Sequence, residues 1–349
     1  VMKKRNVAIL GATGLVGQRF VQLLDEHPWF EVSALTGSAR SVGQSYYDCC
    51  KWHLPGRIPK WAGTMSVQPS QSSLDAEIIF SALPSDIAGT LELELAADGY
   101  HVFSNASSNR MAPDVPLLIP EVNSDHAELV RLQRNKRGWN GTIVTNCNCT
   151  ATGVTLSLKP LYDDYGLKRV FLTSMQALSG AGHPGVSSLD AIDNIVPFID
   201  GEEQKMQSEP LKMLGRFDGT QIVQADFGIS AHCNRVPVSD GHMVCVTVEL
   251  GRSASVEQIY TSFSSFCPDE IVSQLPSSPR EFIRVFAEED RPQPKLDRQT
   301  GEGMTTMVGR VRADSMLHVR YVVLSHNTIK GAAGGSLQNA ELLLKKGLI

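Results

Sequence analysis

The sequence has no run of 18 apolar residues, so it predicts no transmembrane helix. It has no excess of positive charge. The 32 Lys and Arg against 37 Asp and Glu leave a formal charge of −5, and the basic residues are scattered, which gives no ground for nucleic-acid binding. Cysteines are few, odd in number and irregularly spaced: Cys49, Cys50, Cys147, Cys149, Cys233, Cys245 and Cys267. That pattern is unlike a disulfide framework and fits a reduced, cytoplasmic enzyme. Cys49-Cys50 with His53, and Cys147 with Cys149, are the nearest things to metal-ligand clusters. Neither has the second pair that a zinc spacing requires, so no metal is expected. The start, Val1-Met2-Lys3-Lys4-Arg5, runs directly into a strand and a glycine turn and does not read as a signal peptide. Internal repeats and low-complexity segments are absent.

What is present suffices for two cores. A chain of 349 residues is long for one, and 42% of it is hydrophobic. Val7-Ala8-Ile9-Leu10 is a short apolar run of the kind that forms a buried parallel strand. Gly11-Ala12-Thr13-Gly14-Leu15-Val16-Gly17 follows, and then Gln18 to Leu24 with apolar residues at helical spacing. Strand, glycine turn and helix in that order suit a dinucleotide: glycines admit the pyrophosphate, and the helix N-terminus offers amides and positive potential. The spacing is G-x-x-G-x-x-G rather than G-x-G-x-x-G, and without a ligand the same residues would form only a tight turn. No Gly-Lys-Ser/Thr closes the loop, which excludes a P-loop.

The strand Phe30 to Leu35 ends in Thr36-Gly37-Ser38-Ala39-Arg40-Ser41, where an NAD site usually carries an acid. The hydroxyls of Ser38 and Ser41 and the charge of Arg40 suit a 2′-phosphate, so NADP(H) is the expected cofactor, although Arg40 also reads as a solvated loop residue. Ala76 to Pro84 reads as a further strand whose end, at Ser81-Ala82, lines the crevice. His101 to Asn105 and Gly141 to Thr145 read as two more strands.

Beyond Thr145 stands Asn146-Cys147-Asn148-Cys149-Thr150, with helical periodicity from Gly153 to Tyr165. Most cysteines in a chain of this size are small buried apolar residues. A thiol at a helix N-terminus also ionises more easily and suits covalent catalysis on a carbonyl. The pattern then alternates, in Arg169 to Ala177, Met243 to Leu250 and Leu317 to Leu324, predicting an antiparallel or mixed sheet backed by helices. Ser273 to Pro294 reads as loop. Gly331 to Leu344 reads as a glycine turn and a helix returning to the first domain, with Gly331 close to a cofactor. The fold class is therefore α/β: an N-terminal Rossmann-like doubly wound sheet plus an α+β catalytic and dimerisation domain, with 1–148 and 328–349 in the first and 149–327 in the second.

The chain resembles the aspartate-β-semialdehyde dehydrogenase family along nearly its full length, most closely its fungal and archaeal branch. The resemblance rests on six motifs in order: Gly11 to Phe20, Asn148-Cys149-Thr150, Gln176 to Gly182, Gly201 to Lys205, Asn234 to His242, and Asn327 to Gly335. It implies NADPH-dependent reductive dephosphorylation of β-aspartyl phosphate to aspartate semialdehyde, and the reverse, in the biosynthesis of threonine, methionine and isoleucine, and of lysine in some organisms. By that resemblance Cys149 is the nucleophile, His242 the acid/base and Gln176 the residue that orients the substrate. Arg235 grips the carboxylate, Glu202 faces the ammonium group, and Arg110 with Lys205 holds phosphate. Gly11, Thr13, Gly14, Leu15, Val16, Gly17, Ser38, Arg40, Ser41, Ser81, Ala82, Ser179, Gly180, Asn327 and Gly331 fall to the cofactor. The expected partners are small-molecule substrates and a second copy of the chain, as a homodimer or a dimer-based homotetramer, with neither nucleic acid nor membrane.

One departure stands out: two residues before the nucleophile, where the family usually has proline or alanine, this chain has Cys147. Rival readings are N-acetyl-γ-glutamyl-phosphate reductase, malonyl-CoA reductase and a non-catalytic NADP-binding paralogue. The first two have no use for Glu202, and the third predicts loss of Cys149, Gln176 or His242.

Overall fold

The computed structural model describes residues 3–71 and 73–349; Val1 and Met2 of the start read above, and Ser72, lie outside the described residues. The first sheet contains β1 (Arg5–Leu10), β2 (Phe30–Gly37), β3 (Val67–Pro69), β4 (Ile78–Ser81), β5 (His101–Ser104), β6 (Leu117–Leu118) and β7 (Thr142–Asn146). All its pairs are parallel, in the order β3-β2-β1-β4-β5-β7-β6. Its central strands are buried on both faces, which is why they read as continuous apolar runs. The helices α1 (Leu15–Leu23), α2 (Ser85–Ala97) and α3 (Leu129–Arg137) belong to the crossovers.

Helix α4 (Cys149–Tyr165) leads into the second unit. There β8 (Leu167–Gln176) is followed by α5 (Glu202–Met213), a small ribbon of β9 (Arg216–Phe217) and β10 (Ile222–Val223), β11 (Gly228–Arg235) and β12 (His242–Leu250). Next come α6 (Val256–Ser264), β13 (Ile283–Val285), β14 (Thr306–Ala313) and β15 (Val319–Ser325). The six-stranded order is β11-β8-β12-β15-β14-β13, with β8/β11 and β13/β14 parallel and the other pairs antiparallel. Val154, Leu158 and Leu161 of α4 share a core with Val170, Leu172, Val246 and Tyr321 of this sheet. On β8, exposed Arg169, Phe171 and Thr173 alternate with those buried residues, as a strand with one uncovered face must.

The alternating pattern exposed only three of these six strands. Gly228–Arg235 is half polar because its outer face is uncovered, and Thr306–Ala313 is interrupted by Gly309 and two arginines, so neither reads as a strand by periodicity. The loop-rich stretch 273–294 contains the short β13. Helix α4 starts four residues before the periodicity does, at Cys149, because Asn148 caps it: its side chain accepts from the Thr150 and Ala151 N–H groups.

The tail forms a π-helical turn, Ile329–Ala333, and then α7 (Gly334–Lys345). Leu337, Ala340, Leu342 and Leu343 of α7 lie in one core with Val7, Ile9, Phe80 and Val144 of the first sheet. Buried Lys330 ties the turn down: its Nζ lies 2.6 and 2.7 Å from the two carboxylate oxygens of Glu121 and 2.8 Å from Gln338 Oε1.

Candidate active site

The site lies where the carboxyl ends of the first sheet face one end of the second. Register assembles the latter. Parallel pairing sets Arg235 opposite Gln176, and antiparallel pairing of Met243 with Met175 brings His242 beside them. Cys149, as the first residue of α4, is carried to this cluster. Its Sγ lies 3.2 Å from His242 Nε2, and the Ala177 N–H donates to His242 Nδ1 at 3.0 Å. With Nδ1 accepting, the proton of the neutral ring sits on Nε2, facing the sulfur.

Electrostatics here differ from the expectation of an easily ionised thiol. Burial, with Glu202 adding to it, pushes the Cys149 thiol up to about 12, against the pull of Arg110 and Arg235. Burial, then Arg235 and His326, pushes His242 down to about 3. Without substrate, the pair is a neutral thiol and a neutral imidazole, because desolvation outweighs the helix terminus. Cys147 is buried and turned away, with Sγ 3.0 Å from Thr152 Oγ1. All seven cysteines are free.

Helix α5 presents a polar face at 202, 205, 209 and 212. The Glu202 carboxylate accepts from Asn148 Nδ2 at 2.8 and 2.9 Å, Gln176 Nε2 at 3.1 Å and Lys205 Nζ at 3.3 Å. Glu209 accepts from Arg110 Nη1 at 2.9 Å and from the Asn148 N–H at 2.5 Å. Lys212 donates to the Arg110, Ala112 and Val115 carbonyls at 2.6, 2.8 and 2.8 Å. Chain order points to Glu202 and Lys205 as site residues but not to Asn148, Glu209 or Lys212. The signal for the last two was there, since i+3, i+7 and i+10 from Glu202 lie on one helical face. Arg235, 7% exposed, donates from Nη1 to the Ala177 carbonyl at 2.6 Å.

A cavity of about 580 Å³ joins these groups to the glycine turn; it is lined by Gly14, Leu15 and Val16, by Arg110, Cys149, Glu202 and Lys205, and by Ser179, Gly180, Asn327 and Gly331. A second, of about 710 Å³, shares Gly14 and Ala82 with it and continues along Gly11, Thr13, Ser38 and Ser70. The glycines make this crevice possible. Gly11 has φ +70°, and a Cβ there would come within 2.9 Å of the Ala82 carbonyl oxygen. A Cβ on Gly331 would come within 2.9 Å of Cys149 Cα, Cβ and O. Gly17 is packing rather than lining, since a Cβ would sit 2.2 Å from Gly11 O. Asn327 donates to Ser179 Oγ at 2.8 Å and accepts from the Gly241 N–H at 2.9 Å, next to His242. Of the remaining sequence-predicted residues, Arg40 is exposed beyond the lining, Ser41 is buried, and Ser81 lies beneath Ala82 with its carbonyl taken by Asn105. Among the described residues no group of three or more His, Cys, Asp or Glu could hold a metal, and no helix is long and apolar enough to cross a membrane.

A dinucleotide-type glycine turn opening onto a thiol–imidazole pair defines a class: dehydrogenases that pair a nicotinamide cofactor with a cysteine. Comparison with known proteins narrows it. Residues 6–130 match the NAD-binding domain of semialdehyde dehydrogenases, and 158–330 match their dimerisation domain. The aspartate-semialdehyde dehydrogenase of Archaeoglobus fulgidus is 51% identical over 345 residues, 99% of either chain. That of Schizosaccharomyces pombe is 42% identical over the whole of both chains. The crystal structure of the Candida albicans enzyme with NADP superposes with a TM-score of 0.91 at 38% identity, covering 99% of this chain and 100% of that one. The chain belongs to the aspartate-semialdehyde dehydrogenase family.

Proposed function

We propose that this enzyme interconverts aspartate semialdehyde and β-aspartyl phosphate with NADP(H) and phosphate, by way of a thioester on Cys149, within the biosynthesis of the aspartate-derived amino acids. The observation that carries this reading is the 3.2 Å approach of Cys149 Sγ to His242 Nε2, at the point where the crevice meets Arg110, Glu202 and Lys205, with Arg235 buried behind it against the Ala177 carbonyl.

The crevice fits a dinucleotide. Gly11, Thr13 and Gly14 with the α1 N-terminus would hold the pyrophosphate, and Ser38 with Arg40 the 2′-phosphate. Ser179, Gly180, Asn327 and Gly331 would flank the nicotinamide beside Cys149. Bound there, the cofactor supplies the hydride donor or acceptor.

The protein supplies the rest. Cys149 Sγ bonds to the carbonyl carbon and later presents the acyl group to phosphate. His242 Nε2–H donates to the sulfur in the resting enzyme and to the carbonyl oxygen in the adduct; as the C–S bond forms, the thiol proton moves to that oxygen, and it is released when the oxygen becomes the thioester carbonyl, while Nδ1 stays committed to Ala177. Two N–H groups facing each other at Nδ1 would disfavour the imidazolium, so the proton is passed on rather than held. Arg235, with one donor anchored on the Ala177 carbonyl, offers its remaining N–H groups to the substrate carboxylate. Glu202 meets the ammonium group, Gln176 orients the substrate, and Arg110 with Lys205 takes the phosphate.

Residues 1–148 with 328–349 form the cofactor domain in this reading, and 149–327 the catalytic and dimerisation domain. The shared core of α7 and the first sheet supports the return of the tail. A homodimer, or a tetramer built from it, would cover the open face of the second sheet around Phe171 and the exposed Leu189, Ile192, Ile195 and Phe198. Seven free cysteines suit the cytoplasm. The test is spectrophotometric: purified protein with aspartate semialdehyde, NADP and phosphate should form NADPH, and N-acetyl-glutamate semialdehyde should not replace the substrate. Turnover of only the acetylated compound would overturn the reading.

A further inference from the structure

Arg110 is a poor phosphate ligand unless something fixes it. Its side chain lies in a buried position and carries five N–H groups on a planar fork. Two contacts set the plane: Nη1 donates to Glu209 at 2.9 Å, and Nη2 donates to the Asn105 carbonyl at 2.8 Å. Nε, buried, has no partner among the described residues. Glu209 is itself 2% exposed, and its second oxygen accepts the Asn148 N–H at 2.5 Å. Asn148 is committed at every polar group. Its Oδ1 caps α4, its Nδ2 is held by Glu202, and its carbonyl accepts from the Thr152 N–H and Oγ1. The next residue is Cys149. One carboxylate on α5 therefore spans the arginine at the cavity wall and the backbone that carries the thiol.

We propose that Glu209 is a positioning residue that locks the Arg110 guanidinium in register with Cys149, so that phosphate is held where it can attack the thioester. The inference rests on the reading of Arg110 as a phosphate ligand. Glu209 touches neither substrate nor cofactor in this account; it acts through its two bonds. A carboxylate can accept from both partners at once. A carboxamide accepts with its oxygen only, and its NH2 group turned toward Arg110 would set donor against donor. Glu209→Gln can keep the Asn148 bond but loses the Arg110 one, whereas Glu209→Ala loses both.

The experiment measures saturation curves for phosphate, semialdehyde and NADP in the oxidative direction, on the purified full-length enzyme and on Glu209→Gln, Glu209→Asp, Arg110→Ala and the Arg110→Ala/Glu209→Gln double variant. Glu209→Gln should raise the apparent KM for phosphate about tenfold, the scale of one charge-assisted hydrogen bond. NADP affinity should change less than about twofold. Glu209→Asp keeps the charge on a shorter arm and should fall between wild type and Gln; it also serves if the Gln variant does not fold. The double variant should be no worse for phosphate than Arg110→Ala alone, because Glu209 acts through that arginine. If Arg110→Ala leaves the phosphate KM unchanged, the reading of Arg110 fails. If Arg110→Ala raises it and Glu209→Gln does not, or lowers it, Glu209 merely damps the arginine's charge and the positioning role is overturned. Additive losses in the double variant would overturn it as well.

Discussion

His242 stands between Cys149 and Ala177, with Nε2 3.2 Å from the sulfur and Nδ1 accepting the Ala177 N–H at 3.0 Å. The arrangement costs acid stability. The imidazole falls from the ordinary 6.5 to about 3 through burial and then Arg235. The unfolded chain thus binds the proton more readily in that window. Stability is fully present above the unfolded value and is lost as pH falls from 6.5 toward 3, by about 1.4 kcal/mol per pH unit for this one group. His101 and His326, both lowered to about 4, act in the same sense. Denaturant unfolding at about pH 6.5 and about pH 4.5 should show a smaller loss for His242→Asn than for wild type. Equal losses would mean that the folded protein does not hold this ring uncharged.

Gly331 packs directly on Cys149. Gly331→Ala has no backbone penalty from positive φ, so its effect is the collision alone. The nucleophile must move, and a displacement on the order of 1 Å costs about a hundredfold in kcat. Iodoacetamide should also alkylate Cys149 at a changed rate. Wild-type kcat in a folded Gly331→Ala enzyme would show that the turn can retreat without disturbing the thiol.

Ser38 lines the far cavity and Arg40 stands exposed two residues beyond it. Arg40→Ala should weaken NADP roughly tenfold and leave NAD unchanged. Ser38→Asp places a carboxylate where a 2′-phosphate would lie and should turn the preference toward NAD. Equal effects on both cofactors in a binding titration would remove Arg40 from the 2′-phosphate site.

Much of this was legible in the residues. The glycine turn after an apolar run fixed the first sheet's start, and Asn148-Cys149-Thr150 marked the helix that carries the thiol. Cys147 and Cys149 differ by a single intervening residue, and only the fold separates them: one is sealed against Thr152 while the other faces His242. Glu209 and Lys212 share a helical face with Glu202, a signal in the spacing, but charges along a helix read as a solvated face until the helix is seen to be buried on that side. The depressed histidine and elevated thiol depend on desolvation, which chain order does not encode. Strand β11 was hidden by its uncovered face, β14 by its interruptions, and β13 by being only three residues long in a loop-rich stretch.

Lys205 lies 3.3 Å from Glu202, half-buried at the cavity wall, while Arg235 lies deeper, against Ala177. Lys205→Ala should raise the apparent KM for phosphate and spare that for the semialdehyde. Arg235→Leu should do the reverse. Saturation curves for each substrate separate the two. An untouched phosphate curve in Lys205→Ala would move the phosphate site elsewhere.

The central claim is the thioester on Cys149. Rapid mixing of enzyme, NADP and aspartate semialdehyde without phosphate, followed by acid quench and peptide mass analysis, tests it most directly. The account predicts a burst of NADPH stoichiometric with active sites and a β-aspartyl group on Cys149. Cys149→Ser should abolish both while still binding NADPH, and Cys147→Ser should retain both. An acyl group on Cys147, or a full burst from Cys149→Ser, would contradict it.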